Sequence, residues 1–201
     1  MLYVVTNRHL AEIDFLARLE KIAAAKPHFI QLREKDLSPR ELHALALQVK
    51  EITDRYGIKL IINGSVEVAV AIGSFGVHVG SQSLPPATVR ALLHTGQWLG
   101  VSVHSAVEAF QAQHNGANYL IAGHVFSTEC KAGLAARGLD FLRSVREAVS
   151  IPVFAIGGID LTKVKAVMET GVNGIAVMSG LMQHPAPEQM IYKYKELMDH
   201  K

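Results

Sequence analysis

One cysteine, Cys130, stands in 201 residues, so no internal disulfide can form, and a reducing compartment, the cytoplasm, is expected. Charge is sparse. Asp, Glu, Lys and Arg make up 19% of the chain and the formal net charge is +2, with no basic or acidic block. Such a surface gives no nucleic-acid backbone or membrane face a partner, and neither kind of partner is expected. Apolar runs stay well below the roughly 18 residues of a membrane-crossing helix. The start, Met1-Leu2-Tyr3-Val4-Val5, has no basic leader, and its apolar run of about five residues is shorter than the about 7–15 of a signal peptide. The ten histidines are scattered. No zinc spacing, H-E-x-x-H, G-x-S-x-G elbow, P-loop or post-strand G-x-G-x-x-G is present, and carboxylates at strand ends are few. No metal and no cofactor are expected.

Hydrophobic residues make up 49% of the chain, enough for a large buried core. Short Val/Ile/Leu runs without polar alternation, the pattern of strands buried on both faces of a parallel sheet, recur at Leu2–Thr6, Phe29–Arg33, Leu60–Asn63, Gly76–Val79, Leu99–Val103, Tyr119–Ala122, Val153–Ile156 and Gly174–Val177. Helical periods fall between them. The clearest is Pro39–Tyr56, with an apolar stripe of Leu42, Leu45, Ala46, Val49 and Ile52 behind a Ser38-Pro39 start. Others run over Leu10–Ala25, Ser65–Ile72, Pro86–His94, Ala106–Asn115, Leu139–Val149, Leu161–Glu169 and Pro187–His200, with Ser105 and Asp160 as N-caps. The fold class expected is α/β: a single (β/α)8 TIM barrel, one domain over residues 1–201. An open doubly wound sheet of about five or six strands is the alternative.

In such barrels ligands sit at the C-terminal strand ends, with phosphate held by the loops after strands seven and eight. Here those loops read Ile156-Gly157-Gly158-Ile159 and Val177-Met178-Ser179-Gly180, a phosphate cradle or else ordinary tight turns. Strand two ends Gln31-Leu32-Arg33-Glu34-Lys35-Asp36, with Gln31 and Arg33 on one face. It suits recognition of an anionic or heteroaromatic ligand, or is a solvated loop of internal ion pairs. Asn63 and Ser102 end strands three and five as ligand contacts, though Asn63 could cap a helix; His78 is placed inside the barrel. His124 ends strand six, where a catalytic acid/base would stand, followed by Thr128 and Lys131 in a loop long enough to cover a ligand. Cys130 is read as an ordinary loop residue.

Taken in order, Gln31-Leu32-Arg33-Glu34-Lys35, Ile61-Ile62-Asn63, Gly76-Val77-His78-Val79-Gly80, Gly100-Val101-Ser102-Val103-His104, Asn118-Tyr119 to Gly123, Thr128 with Lys131, Ala155-Ile156-Gly157-Gly158-Ile159 and Gly174-Ile175-Ala176-Val177 resemble the thiamin phosphate synthase superfamily over nearly the whole chain. Two departures stand out. The synthases carry aspartates after strands three and four that hold a pyrophosphate-binding Mg²⁺, whereas this chain reads Asn63-Gly64 and Gly80-Ser81-Gln82-Ser83; and His124 replaces a proline. The segment Gly123-His124-Val125-Phe126, Thr128, Cys130-Lys131, Gly133-Leu134 and Arg137-Gly138, with Ala176-Val177-Met178-Ser179-Gly180, is similar to the TenI-type branch, the thiazole tautomerases. That resemblance implies an isomerase that aromatises a thiazole phosphate carboxylate tautomer without metal. His124 would be the acid/base, Arg33, Lys35 and Lys131 the carboxylate partners, and Asn63, Ser102 and Thr128 the ring contacts, with Gly157, Gly158, Met178 and Ser179 on the phosphate. The partner implied is a small phosphorylated thiazole, and the superfamily leans towards homodimers. A synthase joining hydroxymethylpyrimidine pyrophosphate to thiazole phosphate, and a non-catalytic regulatory protein, are the alternatives.

Overall fold

The computed structural model describes residues 1–12, 14–128 and 133–199. Eight parallel strands close into a barrel in chain order: β1 (Leu2–Val5), β2 (Phe29–Leu32), β3 (Lys59–Asn63), β4 (Gly76–Val79), β5 (Trp98–Val103), β6 (Tyr119–Gly123), β7 (Val153–Ile156) and β8 (Gly174–Val177). β1 pairs with β2 on one side and β8 on the other, with Tyr3 opposite Phe29 and Ala176. The barrel expectation holds and the open sheet is excluded. Helices α1 (Phe15–Ala24), α2 (Pro39–Tyr56), α3 (Val66–Ala71), α4 (Pro86–Leu92), α5 (Ala106–His114), α6 (Gly138–Glu147), α7 (Val164–Met168), α8 (Ser179–Met182) and α9 (Pro187–Asp199) lie between or after the strands.

Period-two alternation splits each strand between two cores. Val4, Ile30, Leu60, Ile62, Val77, Leu99, Leu120 and Val153 face the helices in one continuous cluster. Tyr3, Val5, Phe29, Ile61, Tyr119, Ile121, Phe154 and Ala176 fill the barrel interior. The filling is aromatic: the Tyr3 and Phe29 rings stack at 5.3 Å, and Tyr119 meets Phe154 edge-on at 5.8 Å. Gly100 of β5 makes room for this, because a Cβ there would overlap the Tyr119 ring. At the N-terminal rim the Lys59 ammonium lies 4.9 Å from the Phe75 ring centre and 5.5 Å from that of Trp98.

α2 matches its expected bounds, and its cap explains why. Ser38 receives the Glu41 amide while Glu41 reaches back to Ser38, and Gly57 closes the helix in the left-handed region at φ 69°. Its buried face is Leu42, Ala46, Val49 and Ile52, with Leu45 half-buried. Two other segments differ from the periodic reading. Leu10–Ala25 breaks into a 3-10 turn at Arg8–Leu10 and α1, because Asp14 caps the new start by accepting from the Ala17 amide. Leu161–Glu169 likewise opens as a 3-10 turn over Leu161–Lys163, capped by Asp160, before α7. α8 has only four residues and offers no period to read.

Candidate functional site

A cleft of about 1020 Å³ opens at the C-terminal ends of the strands. Gln31, Arg33, Lys35, Asn63, Ser102, His124, Thr128, Gly157, Gly158, Met178 and Ser179 all line it, so the structure gathers in one place every described residue singled out from the sequence. Lys131, and with it Cys130, lies outside the described residues.

The floor of the cleft is a polar layer on top of the aromatic filling. Gln31 is buried, and its Oε1 accepts from the Tyr3 hydroxyl at 2.9 Å while its Nε2 donates to Asn63 Oδ1 at 2.8 Å. The Tyr3 and Tyr119 hydroxyls are 2.8 Å apart. His78 sits 3.3 Å from the Tyr119 hydroxyl through Nδ1 and 2.8 Å from Ser102 Oγ through Nε2. His78 is thus inside the barrel, as expected. Burial, with a smaller push from the Arg33 guanidinium, lowers its pKa to about 3, so the ring is neutral. Burial also raises the pKa of both tyrosines. The two tyrosines were missed as site residues because in sequence they read only as core aromatics.

On the β2 side, Arg33 is half-buried at the cleft wall and Lys35 is exposed. Glu34 also lines the cleft, but its side chain is tied to the loop just after β1. Its carboxylate is buried and accepts from Thr6 Oγ1 at 2.6 Å and the Arg8 amide at 2.9 Å, with the Arg8 guanidinium at 3.3 Å. Arg8 also pairs with Asp36, holding that carboxyl well below the usual carboxylate range. The charged segment therefore serves two ends. Glu34 and Asp36 form the internal ion pairs of the solvated-loop reading, and Arg33 and Lys35 line the cleft.

Across the cleft, three loops brace one another. Phe126 N–H donates to the Gly157 carbonyl at 3.0 Å and Val125 N–H to that of Ile156 at 2.9 Å. Gly157 and Gly158 have φ of 105° and 63°. A Cβ on Gly157 would strike His124, and one on Gly158 would strike the Phe126–Ser127 backbone. The glycines are thus required by the β6 loop as well as by any ligand. His124 is buried against this turn, and its Nε2–H donates to the Leu134 carbonyl at 3.2 Å, which leaves Nδ1 with the lone pair in the neutral ring. Lys163 donates to the Gly158 carbonyl at 2.9 Å and Tyr194 to that of Ile159 at 3.1 Å. Arg137 ties the β5 loop to the β6 loop through the His104 carbonyl at 2.9 Å. Tyr194 and Arg137 act from more than thirty residues away, and Lys163 from the next turn, all on backbone carbonyls, an interaction with no sequence signature. His104 pairs with Glu108 at 3.2 Å in the N-terminal turn of α5.

Among the described residues the cleft offers a divalent cation no set of ligands. The positions after β3 and β4 are Gly64 and Gly80 to Ser83. Three described carboxylates line the cleft: Glu34 is held by Thr6 and Arg8, Asp160 by Thr162 and Lys163, and Glu67 is exposed on α3. Among the described residues no group of three or more His, Cys, Asp or Glu could hold a metal ion. The residues present do not fit the magnesium site that the synthases carry.

Fold and cleft together define a (β/α)8-barrel protein with a ligand site at the C-terminal strand ends. The chain belongs to the thiamine monophosphate synthase (TMP-TENI) family, whose model matches residues 2–181. It is 41% identical over 182 residues to the thiamine-phosphate synthase of Clostridium acetobutylicum, covering 90% of this chain and 86% of that one. It is 42% identical over 188 residues to that of Desulfitobacterium hafniense strain Y51, covering 92% and 91%. The thiamine phosphate pyrophosphorylase structure from Pyrococcus furiosus superposes with a TM-score of 0.90 at 31% identity, covering 98% of this chain and 95% of that one.

These relatives overturn the expectation of a TenI-type thiazole tautomerase, and with it the isomerase class, because proteins so similar along their whole length are named as synthases, which are transferases. The reason is one of extent. The tautomerase resemblance rested chiefly on one loop, residues 123–138, part of which lies outside the described residues, whereas similarity to the synthases runs through the entire barrel. No helix is long and apolar enough to cross a membrane among the described residues.

Proposed function

We propose that this chain is a transferase of the thiamine-phosphate synthase kind, joining a phosphorylated thiazole to a pyrimidine carried as its pyrophosphate. A bond forms between the thiazole nitrogen and the pyrimidine methylene carbon as the bond from that carbon to pyrophosphate oxygen breaks. The observation that carries this reading is identity of about 40% over nine tenths of the chain to proteins of that name, joined to a cleft with cationic and glycine-rich sides. The thiazole phosphate is assigned to the Gly157-Gly158 turn and the Met178-Ser179 end of β8, where backbone amides can approach an anion closely. Arg33 and Lys35, with Lys131, take the pyrophosphate, matching negative charge that grows on the leaving oxygen. Gln31, Asn63, Ser102 and Thr128 contact the rings. His124, whose Nε2–H is engaged by the Leu134 carbonyl, supplies a proton to the departing group from Nδ1 once the ring is an imidazolium.

Incubation of the purified protein with both substrates, with magnesium and with a chelator, tests this. Pyrophosphate and thiamin phosphate should appear in equal amounts. A second reading, a ligand-binding protein without turnover, is favoured by the lack of any metal-holding cluster of side chains among the described residues. Saturable binding of thiazole phosphate with no product in either condition would select it.

A further inference from the structure

The polar floor of the cleft is a chain of hydrogen bonds in which each proton is spoken for. A tyrosine hydroxyl has one proton, and a neutral imidazole has one donor nitrogen and one acceptor nitrogen. The Tyr3 proton goes to Gln31 Oε1, at 2.9 Å. Tyr3 can then only accept from Tyr119, 2.8 Å away. With its proton given to Tyr3, Tyr119 can only accept from His78, so Nδ1 of His78 carries the hydrogen. The other nitrogen, Nε2, is left with a lone pair, and at 2.8 Å it receives the Ser102 hydroxyl proton. At the far end Gln31 Nε2 donates to Asn63 Oδ1, turning the Asn63 amide N–H groups away from Gln31. His78, Tyr3 and Tyr119 are 3%, 0% and 0% exposed, so no water competes for these positions, and each bond polarises the next.

We propose that this one-way chain makes His78, Tyr119 and Tyr3 positioning residues that set ligand specificity. Ser102 meets the ligand as an acceptor and Asn63 as a donor, and the floor takes the edge of a flat heterocycle that carries an N–H donor beside a ring lone pair. Only the assignment of that edge to the pyrimidine substrate rests on the transferase reading.

The tautomer of His78 is read in the intact protein from long-range proton–nitrogen-15 NMR. The Nδ1–H form is expected; the Nε2–H form means the chain runs the other way and overturns the proposal. For the ligand edge, 4-aminopyrimidine and 4-pyrimidinone are titrated as probes. The amino compound should bind at least about tenfold more tightly, because the oxo compound sets an acceptor against Ser102. Equal binding, the reverse order, or no binding of either probe overturns the proposal. In Tyr119→Phe the acceptor for Nδ1–H is gone, the ring can take the other tautomer, and Ser102 becomes free to donate. The preference should fall to within about threefold, whereas a purely packing role for Tyr119 would weaken both probes alike and would also overturn it. Should that variant not fold, the wild-type tautomer and probe order still decide. Failure of the transferase reading shows separately, as absence of product with the tautomer and probe order intact.

Discussion

Gly157 joins two demands that meet at one Cα. Its φ of 105° lies where side chains are strained, and a Cβ would collide with His124. Gly157→Ala is expected to destabilise the protein by about 1–3 kcal/mol and to displace the His124 wall. A lowered thermal midpoint together with weaker inorganic phosphate binding would bear this out, and an unchanged midpoint would not. Arg33 presents the opposite case. It lines the cleft half-buried and sits in none of the ion pairs that hold Glu34 and Asp36 among the described residues. Arg33→Gln should weaken pyrophosphate binding by about tenfold or more while leaving the thermal midpoint within a degree or two, since a charge-assisted contact to ligand is lost but no internal pair is broken. Calorimetric titration beside a melting curve separates the two effects.

At the scale of elements, strands were legible because both faces of each are buried, which writes an uninterrupted apolar run into the sequence. Helix bodies were legible from their stripes, and α2 to the residue because its cap, its proline and its closing glycine are all local signals. Where Leu10–Ala25 broke, the deciding group was a single carboxylate at a turn, Asp14, which caps a new start inside the periodic stretch. Ser38→Ala removes the α2 cap and should cost about 1 kcal/mol, read as a shift of the urea midpoint at constant slope. Such a change leaves the cleft floor untouched, so ligand affinity should hold.

For the whole molecule, acid stability should follow His78. A free histidine titrates near 6.5, whereas this ring is held neutral down to about 3. Between those values the unfolded chain binds a proton that the native state refuses, so the contribution is complete above 6.5 and drains away as pH falls towards 3. The slope for that one proton is at most about 1.4 kcal/mol per pH unit. His78→Gln is expected to flatten the dependence of the urea midpoint between pH 6.5 and 4, whatever its effect on stability at pH 7. An identical dependence in the variant would place the titration elsewhere.

By itself the sequence determined that eight buried parallel strands alternate with helices, and it named the residues at the strand ends, because burial and turn chemistry leave local marks. It also displayed the missing carboxylates after β3 and β4. Tertiary structure alone decided which polar groups share the cleft: it set Glu34 on Thr6 and Arg8 and left Arg33 facing the site, and it stacked Tyr3, Tyr119 and His78 into one hydrogen-bonded line across 116 residues of chain. Those partners meet only because the barrel closes. Closure brings strands far apart in sequence within hydrogen-bond reach, and no local period or motif records that meeting.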